Sequence, residues 1–269
     1  MSRGDYHIHT CLRPIDDGAP EMTPETIARA CRSRGFTSFG LSPHLHHDAD
    51  PKALTAFLDD AKEKSAAILP MYRGIETECI DGDGTLTVTP ELAERLDYVI
   101  ASADHFNCTG VVRPPRDAKS CFEFHQKLLM KLAVHPLVDV IAHPFAGLIL
   151  LTTEGHLPGY EPIIALNAVT DSWLDEFAAA LRESGTAVEL NGFFTLTYLE
   201  RLNAAGRPYS YEADYFRIFR HLAGAGVSFS AGSDAHRPED LSQFDSAFDW
   251  AERLAIPPDR MWTPEKLRN

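Results

Sequence analysis

The sequence predicts an α/β fold: a closed or nearly closed (β/α)7 barrel of parallel strands with helices outside. Two observations predict it. Seven short strand-like segments alternate with helical stretches along the chain. His, Asp or Glu also stands at the carboxyl end of almost every one of those segments. A barrel converges all such ends on one mouth, whereas an open sheet would spread them along a crevice. The length of 269 residues suits a single barrel domain, here read as 1–269 with no linker, repeat or low-complexity tract.

The first strand covers 4–10, Gly4-Asp5-Tyr6-His7-Ile8-His9-Thr10. Side chains two apart on a strand share a face, so His7 and His9 present two imidazoles to one side, half of a divalent-metal site. A turn-rich loop with Arg13, Asp16 and Asp17 follows, and Thr23-Pro24-Glu25 opens a helix with Thr as cap and Pro at its first position. The second strand, 36–41, ends in Ser42-Pro43-His44-Leu45-His46-His47. Asp50-Pro51 starts a helix, and the third strand, 71–79, carries Glu76 and Glu78. Thr89-Pro90 begins a short helix before strand four, 98–101, which delivers Asp104 and His105. A helix over 120–134 leads to strand five, 138–142, and to His143-Pro144.

Residues 145–170 show no periodicity and read as a long loop or lid. A helix over 171–184 ends at Gly185; strand six, 186–191, holds Glu189 and Asn191. After a helix over 211–223, strand seven at 227–230 runs into Gly232-Ser233-Asp234-Ala235-His236, and a last helix covers 238–254.

Composition bounds the function. Hydrophobic residues make up 44% of the chain and charged ones 24%, an ordinary globular balance. With 39 acidic against 25 basic residues the formal charge is -14, so long nucleic acid is a poor partner. A small anion remains acceptable where bound cations offset the field. The five cysteines form no CxxC pair and read as free thiols of a reducing compartment. No signal peptide or bilayer-length apolar run is apparent, and the expected location is the cytoplasm with no membrane partner. Twelve histidines are an unusual number for this length.

The strand-end donors are His7, His9, His44, Glu76, His105, His143, Asp234 and His236, with Glu78, Glu189 and Asn191 beside them. They suffice for two or three divalent ions, with Glu76 placed to bridge two. Imidazole and carboxylate without thiolate suit Zn, Mn or Fe alike. His46 and His47 read as solvated loop residues, Glu78 as an ion-pair or supporting partner, and Asp104 as structural because it faces away from His105. His125, His135, His156 and His221 read as ordinary surface or core residues.

His7-Ile8-His9, His44, Gly74-Ile75-Glu76, His105, Ile141-Ala142-His143-Pro144 and Gly232-Ser233-Asp234-Ala235-His236 resemble the successive motifs of the PHP (polymerase and histidinol phosphatase) family. The resemblance spans 5–236 and implies a distorted barrel of seven strands. It implies one ion on His7, His9, Glu76 and Asp234, a second on Glu76, His105 and His143, and a third on His44 and His236. The family usually completes the third with a histidine in the loop after HxHT; this chain offers Ile15, Asp16 and Asp17, making Asp16 or Asp17 the candidate substitute. Pro43 also stands where many relatives have Asp.

The expected activity is metal-dependent hydrolysis of a small phosphate monoester by activated water, with Asp234 or His236 returning a proton to the leaving alcohol. No GxSxG is present and no serine or cysteine nucleophile is required. Arg13, Arg113, Arg116, Arg201 and Arg207 are candidate phosphate contacts, with Arg13 and Arg207 preferred, and Asn191 is a candidate substrate contact. The alternatives are an amidohydrolase-type metal hydrolase, disfavoured by the GSDAH ending and the lack of a strand-end Lys, a phosphodiesterase or nuclease of the same family, and a metal-stabilised accessory domain.

Overall fold

A computed structural model of the chain describes residues 3–163, 166–193 and 211–264. In chain order the strands are β1 (Gly4–Asp5), β2 (Ser38–Leu41), β3 (His44–Leu45), β4 (Met71–Glu78), β5 (Tyr98–Ser102), β6 (Val140–Ile141), β7 (Ala187–Asn191) and β8 (Phe229–Gly232). All pair in parallel, in the order β1-β2-β4-β5-β6-β7-β8, with β3 continuing the line of β2 against β4. The expected seven positions are therefore present, the second split into two pieces by the Ser42-Pro43 step. The split sets the register that matters, because it places His44 directly opposite Glu76.

The sheet comes back on itself past the end of β8. Asp234 N donates to His7 O at 2.8 Å, and His9 N donates to Ala235 O at 3.0 Å. The result is a nearly closed, distorted barrel whose first strand is only two residues long and continues as extended chain through His9.

The helices α1 (Pro24–Ser33), α2 (Pro51–Ser65), α3 (Pro90–Ala93), α4 (Ala118–Ala133), α5 (Ala146–Thr153), α6 (Asp171–Ser184), α7 (Tyr211–Gly224) and α8 (Phe244–Arg253) follow the strands. Side chains of Thr23, Thr89 and Thr170 accept from the backbone N–H three residues on, which explains why those Thr residues open helices. The last predicted helix is in fact a 3-10 segment, Pro238–Gln243, followed by α8. Part of the expected 145–170 loop is also helical. Ala146–Thr153 is apolar on almost every side because it is buried on almost every side, so it carried no periodic signal.

Inside the barrel, polarity is graded along the axis. Tyr6, Tyr98 and Trp262 meet edge to face with centroids 5.8 to 6.2 Å apart, and with Ile100, Val140, Ala142 and Ala187 they fill the lower interior. Two or four residues further along the same strand faces stand Glu76, Glu189 and Asn191, all buried. The Tyr98 hydroxyl donates to Tyr6 O at 2.6 Å. The ring fits because Gly74 faces it: a Cβ there would lie 2.1 Å from the Tyr98 ring. Gly74→Ala is expected to destabilise the fold by ~1–3 kcal/mol through overpacking. Thermal unfolding measures this, and an unchanged midpoint would show that the ring does not need the gap.

Candidate metal centre at the barrel mouth

The centre is built from the carboxyl ends of the strands. Glu76, 1% exposed near the end of β4, uses its two oxygens differently. Oε1 lies 3.1 Å from His143 Nε2 and 3.5 Å from His105 Nε2. Oε2 lies 3.2, 3.3 and 3.5 Å from Nε2 of His44, His7 and His9. Asp234 Oδ1 closes the group, 3.1 Å from His9 Nε2 and 3.6 Å from His7 Nε2.

Behind this inner ring is an outer one. Glu189 Oε1 is 2.7 Å from His7 Nδ1, and Asp16 Oδ1 is 3.0 Å from Nδ1 of both His9 and His44. Asp104 Oδ1 is 3.2 Å from His143 Nδ1, and Glu78 Oε1 is 3.8 Å from His105 Nδ1. The hydrogen bonds from Glu189 and Asp16 favour a proton on Nδ1 of His7, His9 and His44 and so direct their Nε2 atoms inward, the tautomer a metal ligand needs. The outer acids are themselves held. Asp16 accepts from Thr10 N and Thr10 Oγ1, Asp104 from Leu148 N near the start of α5, and Glu189 from His143 N and Asn191 Nδ2. Gly232 makes room for this, because a Cβ there would sit 2.2 Å from Glu189 Oε1.

Lone pairs on His7 and His9 thus face each other at 3.3 Å, beside two carboxylates. A cation between them would satisfy that geometry, and the donor set fits a divalent ion with nitrogen and oxygen ligands. The pKa directions agree. Burial would depress His7 and His143, but Glu189, Asp234 and Glu76 around the first, and Asp104 and Glu76 around the second, outweigh it and hold both well above the usual histidine value. Burial would raise Glu76, yet His105, His7 and His143 hold it well below the usual carboxylate range.

A third group lies nearer solvent. His9, His44, His236 and Asp17 each offer one ligand atom, all within 4.8 Å of one another. Asp17 Oδ1 is 3.0 Å from His236 Nε2, whereas Asp16 stands behind the His9 and His44 rings. His236 Nδ1 donates to Asp234 O at 3.0 Å.

Other sequence readings change. Asp104 is not remote from the cluster: β5 ends at Ser102, so strand alternation no longer applies, and its carboxylate reaches His143. His46 is not simply solvated, since its Nδ1 lies 2.6 Å from Glu78 Oε1. His125 is a core residue, within the expectation, and by linking to Ala103 O and accepting from Phe145 N it pins the turn after His143. Asn191 lies beneath the cluster, donating to Glu189 and to Asp234 Oδ2 at 3.2 Å. Arg13 donates to Asp17 O at the exposed rim. Arg201 and Arg207 lie outside the described residues.

A cavity of about 500 Å3 opens over the cluster, with His44, Glu76, His105, His143, Asp234 and His236 at its base. Leu150, Leu151 and Phe193 form an apolar wall, and Arg237, Asp240 and Gln243 a polar one. Sequence reasoning missed Arg237. It stands directly after GSDAH, in the loop of a barrel strand end, and that position was the available signal. It makes no ion pair among the described residues.

A parallel barrel with clustered imidazole and carboxylate donors at its carboxyl-end mouth is the class that fold and cluster define. No family model matches the chain. Over 262 residues it is 23% identical to a protein of Acetivibrio thermocellus named "Probable phosphatase", covering 94% of this chain and 87% of that one. A Vibrio vulnificus protein, "Probable phosphatase VVA0289", is 24% identical over 264 residues, 96% of this chain and 88% of its own. Among solved structures, the histidinol phosphate phosphatase (HISK) of Lactococcus lactis, complexed with zinc, L-histidinol and phosphate, is similar with a TM-score of 0.64 at 12% identity over 95% of each chain. YwqE of Bacillus subtilis and CpsB of Streptococcus pneumoniae, described as metal-dependent tyrosine phosphatases, are represented by a chain with a TM-score of 0.52 at 19% identity, covering 96% of this chain and 90% of that one. Among the described residues no helix is long and apolar enough to cross a membrane.

The charge pattern sets the pH response of the metal-free protein. His7 and His143 have folded pKa values above the unfolded value of about 6.5, so their contribution is complete below that pH and is lost as pH rises through the folded values. Asp5, pushed up to about 7 by burial, acts in the same direction. Glu76 and Asp16, held low, contribute above about pH 4.5 and lose this on acidification. With chelator present, the unfolding midpoint should fall from pH 6.5 to pH 8.5, and saturating divalent metal should remove the fall. A midpoint that rises over that range without metal contradicts the assignment.

Proposed function

We propose that this chain is a metal-dependent phosphoesterase that hydrolyses a small phosphate monoester. The observation that carries the reading is Glu76 dividing its two oxygens between two sets of inward-facing imidazoles, an arrangement suited to a pair of ions bridged by one carboxylate. The similarity to proteins named phosphatases along nearly the whole chain supports it.

His7, His9, Glu76 and Asp234 would hold one ion, Glu76, His105 and His143 a second, and His44, His236 and Asp17 a third, with Zn, Mn and Fe all compatible with these donors. When bound, such ions supply Lewis acidity toward phosphate oxygens and make water a nucleophile near neutral pH. The chain's own residues do the rest. Arg237, on the polar wall, binds a phosphate oxygen, and the apolar wall of Leu150, Leu151 and Phe193 receives the carbon skeleton. Burial would lower His236, but Asp17 and Asp234 raise it, so its imidazole holds a proton for the departing alkoxide. Asp234, held far below the usual carboxylate range, anchors His9 and is poorly suited to donate that proton. Ion and proton compete for His236 Nε2, so filling the third position removes the acid. The acidic surface field disfavours long nucleic acid, leaving a small substrate as the partner.

Elemental analysis of the purified protein should find two or more divalent ions per chain. Phosphate release from a panel of small monoesters should fall by about a thousandfold or more in Glu76→Gln, which also loses metal. Full metal content with no hydrolysis of any monoester would overturn the reading. Arg237→Ala should raise KM about tenfold with a smaller loss in kcat. An unchanged KM would exclude Arg237 from the phosphate site.

A further inference from the structure

Beside the metal-centre cavity lies a second one of about 440 Å3, lined by Arg113, Arg116, His156 and Tyr160 among others. Asn107 lines both cavities. We propose that this second cavity is an anion subsite that takes a second anionic group, phosphate or carboxylate, carried at the far end of the ester hydrolysed over the metal cluster. The inference rests on the phosphoesterase reading and names its substrate class.

Its charge is the first reason. The chain has 39 acidic residues against 25 basic ones, yet among the described residues those lining this cavity include two guanidiniums and an imidazole and no carboxylate. Among the described residues neither guanidinium forms an ion pair, and the imidazole has no carboxylate partner. Glu161, the nearby acid, is turned to the start of α4, where its Oε2 accepts from Ala118 N at 3.0 Å.

Its construction is the second reason. Arg113 donates to the carbonyls of Phe106 and Asn107, fixing the loop that joins the two cavities just after His105. Tyr160 donates its hydroxyl to Pro114 O at 2.9 Å, and Glu161 N donates to Arg116 O at 2.9 Å, so the far wall is tied to the arginine-bearing loop. Leu157 N donates to Leu151 O at 3.0 Å, which joins that wall to the helix lining the metal cavity. The walls are thus set before any ligand arrives, and a guanidinium fork matches either phosphate or carboxylate.

The test uses linear phosphate monoesters of three to eight carbons whose far end is a methyl group, a carboxylate or a second phosphate. For at least one length an anionic tail should raise kcat/KM at least tenfold over the methyl tail, mostly through KM. The carboxylate and phosphate arms show which anion the site prefers. Arg116→Gln and His156→Gln should each reduce that ratio. Equal kcat/KM for charged and neutral tails at every length overturns the subsite while leaving the phosphoesterase reading intact. If no monoester is hydrolysed, calorimetric titration with linear alkane bisphosphonates and monophosphonates decides. Tighter binding of a bisphosphonate, weakened in Arg116→Gln, supports the subsite, and equal binding overturns it.

Discussion

One buried carboxylate organises the mouth of this barrel. Glu76 faces His143 and His105 with one oxygen and His44, His7 and His9 with the other, so five imidazoles from four segments of chain are referred to a single side chain. A buried anion is tolerated only when paired. Here the pairing groups are neutral donors unless cations or protons join them, which makes the cluster a strong attractor of positive charge. The same demand raises His7 and His143 and lowers Glu76.

That demand explains how the outer carboxylates are used. Glu189, Asp16, Asp104 and Glu78 each stand behind an imidazole, and most are pinned by backbone N–H groups. Without them the rings would be free to rotate and present either nitrogen. The loops that deliver the donors are fixed with equal economy: His125 bridges Ala103 and Phe145, one residue before Asp104 and two after His143.

The barrel supports this polar mouth with an apolar floor. Tyr98 occupies the space left by Gly74 and reaches Tyr6 O, so the aromatic packing holds the strand that carries His7 against the strand that carries Glu76. Above the mouth, the walls differ in kind. Helix α5 brings Leu150 and Leu151 over the cluster, whereas the loop after β8 brings Arg237. The net acidity of the chain therefore does not describe what a ligand meets there, because the local Arg237 guanidinium acts at short range.

Much of this was legible in the sequence, and the physical reason is periodicity. Strand alternation put His7 and His9 on one side, Thr-Pro pairs marked helix starts, and donors recurring after each strand indicated a barrel with one working end. What the sequence could not carry were relations between side chains on different strands. Asp104 reads as facing away until the end of β5 at Ser102 frees it to turn toward His143. Asp16 and Asp17 are neighbours in the chain, yet only the folded loop decides that one stands behind the His9 and His44 rings and the other beside His236. Helix α5 escaped notice because a fully buried helix has no polar face to mark its turn. Residue types and their spacing determined the architecture and the donor set; the closure of the barrel decided which oxygen meets which nitrogen, because those contacts join residues as far apart in the chain as His7 and Asp234.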